Sequence, residues 1–478
     1  MKQSETNSEN ESINLGKEIM NGPIVPISIK LAMPIIIGQL LVLLYAMVDS
    51  FFISMINQES TAYISGIGLV YPMYMLFVAI GTGLYMGISS LVARGIGEKN
   101  QVVLNKTISS GLVLSVSISI LGLILLLVFG KPLINLMAGD GLSEEAINYA
   151  TQYFYCFIPG FCLIPIYYSL LGVLQGEGLS KYYAMSMILS TIVNVILDPL
   201  FIFVFKLGVL GASLATSIAI LVSLIFVTSI FLRKKSQVKA SWNISNADKR
   251  LVLEIAHIGT PQILSMIALS VFMVFMNNLI GTISETAMNS WTLVGRLDEF
   301  ILLAGYAFAN ATLTIIGQNY GAKNKKRIIE TFKTNIILGL VVGAVFALIY
   351  NLLAGSIFSL FTDLPEVAQG CVTQVRITSF AYLGIIVSII ATSAFQATGR
   401  ALPGLIIDLF RMGVVTIPAA YMLVYMYGGG TREVFLVIAG SFVLAMIISL
   451  IWCSIYLKKV KFKNLAGYSN NNEIADTL

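Results

Sequence analysis

The chain has 478 residues, of which 57% are apolar and 11% charged, with a formal net charge of +5. Soluble domains carry roughly 25% charged residues to meet water, so a set of soluble globules is excluded. The apolar residues fall in blocks of about 20–30, each long enough to cross a hydrocarbon core about 30 Å thick. Backbone amides in hydrocarbon must be satisfied internally, which leaves helices or closed barrels; these blocks are too long and continuous for barrel strands. The expected fold class is an all-α integral membrane protein.

Along the chain, residues 1–22 are polar and rich in Asn, Glu and Ser, without the early apolar core of a cleavable signal. They are expected to form a disordered cytoplasmic tail. Six spans follow, over 27–55, 62–92, 105–130, 147–173, 182–205 and 209–232, within an N-lobe of 23–232. A cytoplasmic linker over 233–250 leads to six more, over 252–280, 287–317, 331–360, 369–397, 402–427 and 433–457. These make a C-lobe of 251–460, followed by a tail over 461–478.

Charge placement orients the spans. Alternate connections and the two tails hold 23 of the 29 basic residues, among them Arg94, Lys99, Lys181, Arg233, Lys323, Arg327 and Arg400. The intervening connections hold only Lys131, Lys206 and Arg432, and are acidic instead, with Glu59, Asp140, Glu144, Glu285 and Asp363. By the positive-inside rule this places both termini in the cytoplasm of a multi-pass protein of the cell membrane. The basic clusters are thereby orientation signals, not a nucleic-acid surface.

The two halves resemble each other. Arg94-Gly-Ile-Gly-Glu-Lys-Asn100 is echoed by Gln318-Asn-Tyr-Gly-Ala-Lys-Asn324, Ala32-Met-Pro34 by Gly259-Thr-Pro261, and Gln175-Gly-Glu-Gly178 by Gln396-Ala-Thr-Gly399. The offsets are 224, 227 and 221 residues, so a nearly constant offset aligns all three. Six spans per half is an even number, so the halves enter from the same side as a parallel repeat. A site between two such halves, opened to each side in turn, is the geometry expected of a secondary transporter.

Burying a charge at mid-bilayer costs at least ~2.5–3.5 kcal/mol, so each acid within a span needs a reason. Asp408 has Arg411 three residues on and on the same helix face, which suits a structural pair. Asp298 and Glu299 follow Arg296, and the three suit a polar cluster in which structural and functional roles both stand open. Asp49 and Asp198 have no base near them within their own spans. Asn194 precedes Asp198 by four residues, so carboxylate and amide share a face, and Pro199 removes the donor to the Val195 carbonyl. Carboxylate, amide and freed carbonyl are oxygen donors, as Na⁺ needs; an unpaired carboxylate out of water can equally take a proton. Thr216 on the next span could add a hydroxyl. Under the repeat, Asp49 maps onto Met276, Asn194 onto Val415 and Asp198 onto Ala419, so the polar set belongs to one half only. A need shared by both halves would have kept it twice.

Other residues read more plainly. Pro34 and Pro261 interrupt the first helix of each half, as a hinge or a static bend. Gly81, Gly83 and Gly87 offer a small face for close helix approach. Cys156, Cys162, Cys371 and Cys453 lie inside apolar blocks without metal or disulfide spacing. His257 is the only histidine, at the entry to the seventh span. Tyr and Met in the spans, among them Tyr71, Tyr74 and Tyr153, suit either packing or a cavity for flat organic cations. There is no G-x-x-x-x-G-K-[S/T], H-E-x-x-H or G-x-S-x-G motif, and no cofactor beyond a coupling ion is expected.

With these residues in place, the chain resembles the multidrug and toxic compound extrusion (MATE) family over roughly residues 20–460. The resemblance rests on the duplicated layout, Pro34 ahead of Met47-Val-Asp-Ser-Phe-Phe-Ile53, and Asn194-Val-Ile-Leu-Asp-Pro-Leu-Phe-Ile202. It also rests on Gly211-Ala-Ser-Leu-Ala-Thr216, Gly317-Gln-Asn-Tyr-Gly-Ala322 and Gln396-Ala-Thr-Gly399. It implies a non-enzymatic antiporter that exports cationic or amphipathic drugs and dyes against inward H⁺ or Na⁺, working as a monomer. It further implies that Asp49, Asn194, Asp198 and Thr216 form a first-lobe cation site, with Tyr153 beside it. Some branches carry an acid in the seventh span as a second-lobe ligand; here Pro261 to Leu279 contains none. Two alternatives remain at this stage. One is a lipid-linked precursor flippase, which would favour a more basic cavity than Arg296, Arg376 and Arg411 supply. The other is an intramembrane hydrolase using an Asp dyad.

Overall fold

The computed structural model describes residues 14–54, 62–138, 142–238, 244–463 and 465, with side chains for all of these except 46–54, 64 and 244. The expected terminal tails beyond 14 and 465, and the loop acids Glu59 and Asp140, lie outside the described residues. Among the described residues there is no strand. Among the described residues eleven helices are long and apolar enough to cross a membrane, and the bent pair Pro365–Thr378 and Tyr382–Ala397, taken as one span, makes twelve. In the first half they are α1 (Ile24–Ser54), α2 (Ala62–Gly97), α3 (Gln101–Ala138), α4 (Glu144–Glu177), α5 (Ser180–Val204) and α6 (Val209–Leu232). In the second they are α7 (Lys249–Ile283), α8 (Glu285–Gly321), α9 (Lys325–Phe358), α10 (Pro365–Ala397), α11 (Leu402–Tyr427) and α12 (Thr431–Lys458).

Several spans are interrupted. α8 is divided at Asp298, α10 bends by 53° between Thr378 and Tyr382, and α5 and α11 each contain a π-helical stretch, at Leu200–Val204 and Phe410–Thr416. Pro199 has no N–H to continue the ordinary ladder and immediately precedes the stretch in α5. Two of the helix starts carry a serine cap. Ser143 accepts from the Ala146 amide at 3.2 Å ahead of α4, and Ser284 from the Ala287 amide at 3.0 Å ahead of α8.

The chain divides into two compact units. One comprises Ile37–Gly259 with the flanking segments Met1–Lys17 and Leu465–Leu478; the other comprises Glu18–Ile36 and Thr260–Asn464. The division therefore does not follow the 233–250 linker but cuts α1 beside Pro34 and α7 beside Pro261. In the first unit α2 and α4 form the centre, with Phe77, Phe157 and Phe161 in ring contact at 4.8–4.9 Å. α3 turns Leu121, Ile124, Val128 and Phe129 outward, as a lipid-facing span should. The start of α7 is held in this unit by Arg94. Its side chain is 2% exposed and lies 3.3 Å from the Glu254 carboxylate. Gly259 passes so close to α2 that a Cβ there would meet the Gly83 carbonyl oxygen at 2.5 Å. In the second unit Phe272, Met276, Phe435 and Phe442 pack together, and Trp291 stacks on Phe435.

The repeat is visible in the backbone. Lys99 and Lys323 both take the left-handed conformation, at φ 56° and 59°, and the residue after each caps the next helix. Asn100 accepts from the Val103 amide at 3.1 Å, and Asn324 from the Arg327 amide at 3.2 Å. Gly178 and Gly399, at φ 87° and 81°, end α4 and α10 in matching turns, with amides donating to Gln175 and Gln396 at 2.9 Å.

Two expectations change. Residues 14–21, inside the segment read as a tail, form a helix. Arg327 closes the end of that segment, donating to the carbonyls of Ile19 at 2.8 Å and Gly22 at 2.6 Å, where a cation complements the helix dipole. The expected Arg296–Asp298–Glu299 cluster does not form: Asp298 is buried while Arg296 and Glu299 are exposed, because adjacent positions on a helix point apart.

Candidate functional site

The site expected from sequence centres on α5. Asn194 and Asp198 lie one turn apart and are both buried, at 6% and 0% exposure. Their shared face turns into the first unit because the opposite face carries Ile192, Val195 and Ile196, which are exposed in the manner of lipid-facing residues. Asp198 Oδ2 accepts a 2.6 Å hydrogen bond from the hydroxyl of Tyr45 on α1, a charge-assisted contact. Asn194 Oδ1 has no hydrogen-bond partner among the described residues. A buried carbonyl oxygen left open costs about 1–3 kcal/mol, so its persistence fits a position that some ligand completes.

Tyr45 was not among the sequence candidates. It stands four residues before Asp49 in the continuous helix α1, and that spacing was the available signal. Asp49 follows it by one turn; the Asp49 side chain lies outside the described residues. Pro34 sits inside α1 without ending it.

The α6 residues approach from the other side. Gly211 lets α6 start directly against the π stretch of α5: a Cβ there would meet the Phe201 carbonyl carbon at 2.8 Å. Thr216, one turn further along, is half-buried and turns its hydroxyl back to the Ala212 carbonyl at 3.1 Å. Ser213 donates to the Tyr153 carbonyl at 3.1 Å, tying α4 to α6. Tyr153 itself stacks on Phe157 at 5.9 Å between ring centroids. The structure thus brings Asp198, Asn194 and Tyr45 into one oxygen-rich cluster. It places Thr216 and Tyr153 on the two helices joined by Ser213.

In the second unit the repeat equivalents are apolar: Met276 is buried, and Val415 and Ala419 are half-buried. Asp408 and Arg411 do interact electrostatically, without closing to ion-pair distance, and the guanidinium lies 5.3 Å over the Phe442 ring. Among the described residues no group of His, Cys, Asp and Glu has the arrangement of a metal centre.

Comparison with known proteins places this geometry. The MatE family profile matches residues 34–200 and 261–422, which span both candidate lobes. Multidrug export protein MepA of Staphylococcus haemolyticus is 25% identical, over 83% of this chain and 86% of its own length. An FAD transporter of Shewanella oneidensis is 26% identical, over 86% of this chain and 90% of its own. The crystal structure of a MATE protein in complex with MaL6 superposes with a TM-score of 0.87 at 24% identity, covering 93% of this chain and 99% of that one.

Proposed function

We propose the coupling chemistry and cargo of this chain, which belongs to the multidrug and toxic compound extrusion (MatE) family and is a multi-pass membrane transporter. It exports cationic or amphipathic organic compounds from the cytoplasm by alternating access, driven by inward H⁺ or Na⁺. The observation that carries this reading is the buried cluster on α5 and α1, where the Asp198 carboxylate takes the Tyr45 hydroxyl beside the open Asn194 oxygen. Such a site offers oxygen and negative charge, so it favours a small cation and, in competition, a positively charged cargo.

In the proposed cycle Asp198 and Asp49 bind the driving ion from outside. Neutralising the carboxylates weakens their hold on the cargo, which leaves outward. Release of the ion to the cytoplasm restores the charge and readmits cargo. Binding the ion and binding the cargo are linked through the same oxygens, and that linkage is the coupling. Thr216 is the further oxygen the site would draw in, by releasing the Ala212 carbonyl. Tyr153 presents a ring for a cationic substrate, and Pro34 leaves α1 one hydrogen bond short, a natural hinge. Both termini lie in the cytoplasm of the cell membrane on the basis of Lys and Arg placement.

Purified protein in liposomes decides the matter, with a cationic dye and either a Na⁺ gradient or a pH gradient imposed alone. One gradient or both should drive dye transport, and Asp198→Asn and Asp49→Asn should each reduce it to the level of protein-free vesicles. Wild-type rates in either variant would sink the assignment. Transport of FAD but not dye would move the cargo from organic cations to flavin nucleotides.

A further inference from the structure

Apart from the cluster on α5, the second unit buries a carboxylate of its own. Asp298 lies where α8 is interrupted, between Glu285–Leu297 and Glu299–Gly321, and is 6% exposed. Its Oδ2 accepts a 2.6 Å hydrogen bond from the hydroxyl of Tyr382, the first residue after the bend in α10. Each member of this pair thus stands at a break in a span. Membrane proteins tolerate such breaks at depth where buried protein or a cavity meets the released polar groups, and transporters use them to hold ions.

The second oxygen, Asp298 Oδ1, has no hydrogen-bond partner among the described residues. Neither does the hydroxyl of Tyr350 on α9, which is 2% exposed and close enough to interact electrostatically with Asp298. The neighbouring Asn351 donates to the Ser379 hydroxyl at 3.0 Å, fixing α9 against the bend in α10. Two buried oxygens on neighbouring spans are left without a hydrogen bond.

The charged and titratable groups around Asp298 are few. α9 contributes Tyr350 and α10 contributes Tyr382; Cys371, which acts on Tyr350, donates to the Ser290 carbonyl. α11 contributes Arg411, which reaches Tyr382 but is matched by Asp408. Among the described residues no Lys or Arg comes within ion-pair distance of Asp298. The carboxylate is therefore buried without a base to balance it. A sodium ion needs a cage of oxygens, whereas the one open carboxylate oxygen suffices for a proton.

We propose that Asp298 is a second proton-carrying carboxylate, in the opposite half from Asp198. A proton from solvent hydronium bonds to Oδ1, leaving water behind, and the carboxylate becomes the neutral acid. Tyr382 keeps Oδ2 in place in both states. Release of the same proton reverses the step, so atoms and charge balance. As part of the transport cycle this rests on the exporter reading above; as a protonation site it does not.

Infrared difference spectroscopy of the full-length protein in nanodiscs, between acidic and alkaline pH, reads the carboxyl groups directly. Asp298→Asn should remove one protonated-carboxyl band that Asp198→Asn retains. Tyr382→Phe should keep that band, at a shifted frequency and pH. A spectrum in Asp298→Asn identical to wild type overturns the proposal, as does a band that responds to Na⁺ at constant pH. If Asp298→Asn is not recovered folded, the Tyr382→Phe spectrum decides: an unshifted set of bands overturns the proposal. Proton release on addition of a cationic dye to the detergent-solubilised protein should fall by about a third in Asp298→Asn, because one of three linked carboxylates no longer exchanges. A wild type that releases no protons while showing the Asp298 band overturns the part of Asp298 in the transport cycle and leaves the protonation site standing.

Discussion

Asp198 and Asp298 solve one problem in two ways. Each is a buried carboxylate in a membrane span, and each takes a 2.6 Å hydrogen bond from a tyrosine hydroxyl. In the first unit the acid comes from α5 and the tyrosine from α1; in the second they come from α8 and α10. The two are not repeat equivalents, since Asp198 maps onto the apolar Ala419. Duplicated architecture has therefore been kept while the charged site has been rebuilt on different helices. The backbone turns at Lys99/Lys323 and Gly178/Gly399 repeat in backbone angle and in hydrogen bonds. What a helix end needs is local and the same in both halves, whereas what a buried charge needs depends on what faces it.

The comparison can be broken where the halves differ most. Arg94 is buried against Glu254, and its repeat counterpart Gln318 is buried without a charge. Arg94→Met strands the Glu254 carboxylate and should cost about 3 kcal/mol, the lower end for breaking a buried pair because Glu254 retains some solvent. Gln318→Met should cost only about 1 kcal/mol. Thermal unfolding of the two variants in detergent checks the ratio, and equal losses would mean that the charge at Arg94 is immaterial.

A second test writes the first-half site into the second. Ala419→Asp places a carboxylate in a span without a tyrosine opposite it. It should lower the yield of folded protein by a cost approaching ~2.5–3.5 kcal/mol. It should also fail to restore dye transport in the Asp198→Asn background. Rescue there would show that the two halves are interchangeable as ion carriers.

Gly211→Ala probes the contact on which the first-half geometry depends. The added Cβ meets the backbone of Phe201, which has no side-chain freedom with which to yield, so about 1–3 kcal/mol of strain is expected. Lowered thermal stability together with a weakened transport rate is the anticipated result. Unchanged stability would mean that α6 can shift along α5 freely.

The smallest effect is the one that should be symmetrical. Lys99→Gly and Lys323→Gly each relieve a left-handed lysine, and each should stabilise the protein by roughly 0.5–1 kcal/mol. Matching shifts in unfolding midpoint would confirm that the turns are equivalent in energy as well as in shape. A difference between them would separate the halves even at their most similar point.

Much of this protein is legible in its sequence, for reasons that are local. Blocks of apolar residues long enough to cross a bilayer leave few choices of fold. Three matched motifs fix the duplication, and a four-residue spacing puts Asn194 and Asp198 on one face because the helix repeats every 3.6 residues. Tertiary structure decided which groups meet. Tyr45 and Asp198 are 153 residues apart, Arg94 and Glu254 160, and Asp298 and Tyr382 84. Adjacency in sequence suggested Arg296 as the partner of Asp298, yet neighbours on a helix point to different sides. A charge in a span pairs with whatever the packing of other helices presents to it, and periodicity along one helix carries no record of that.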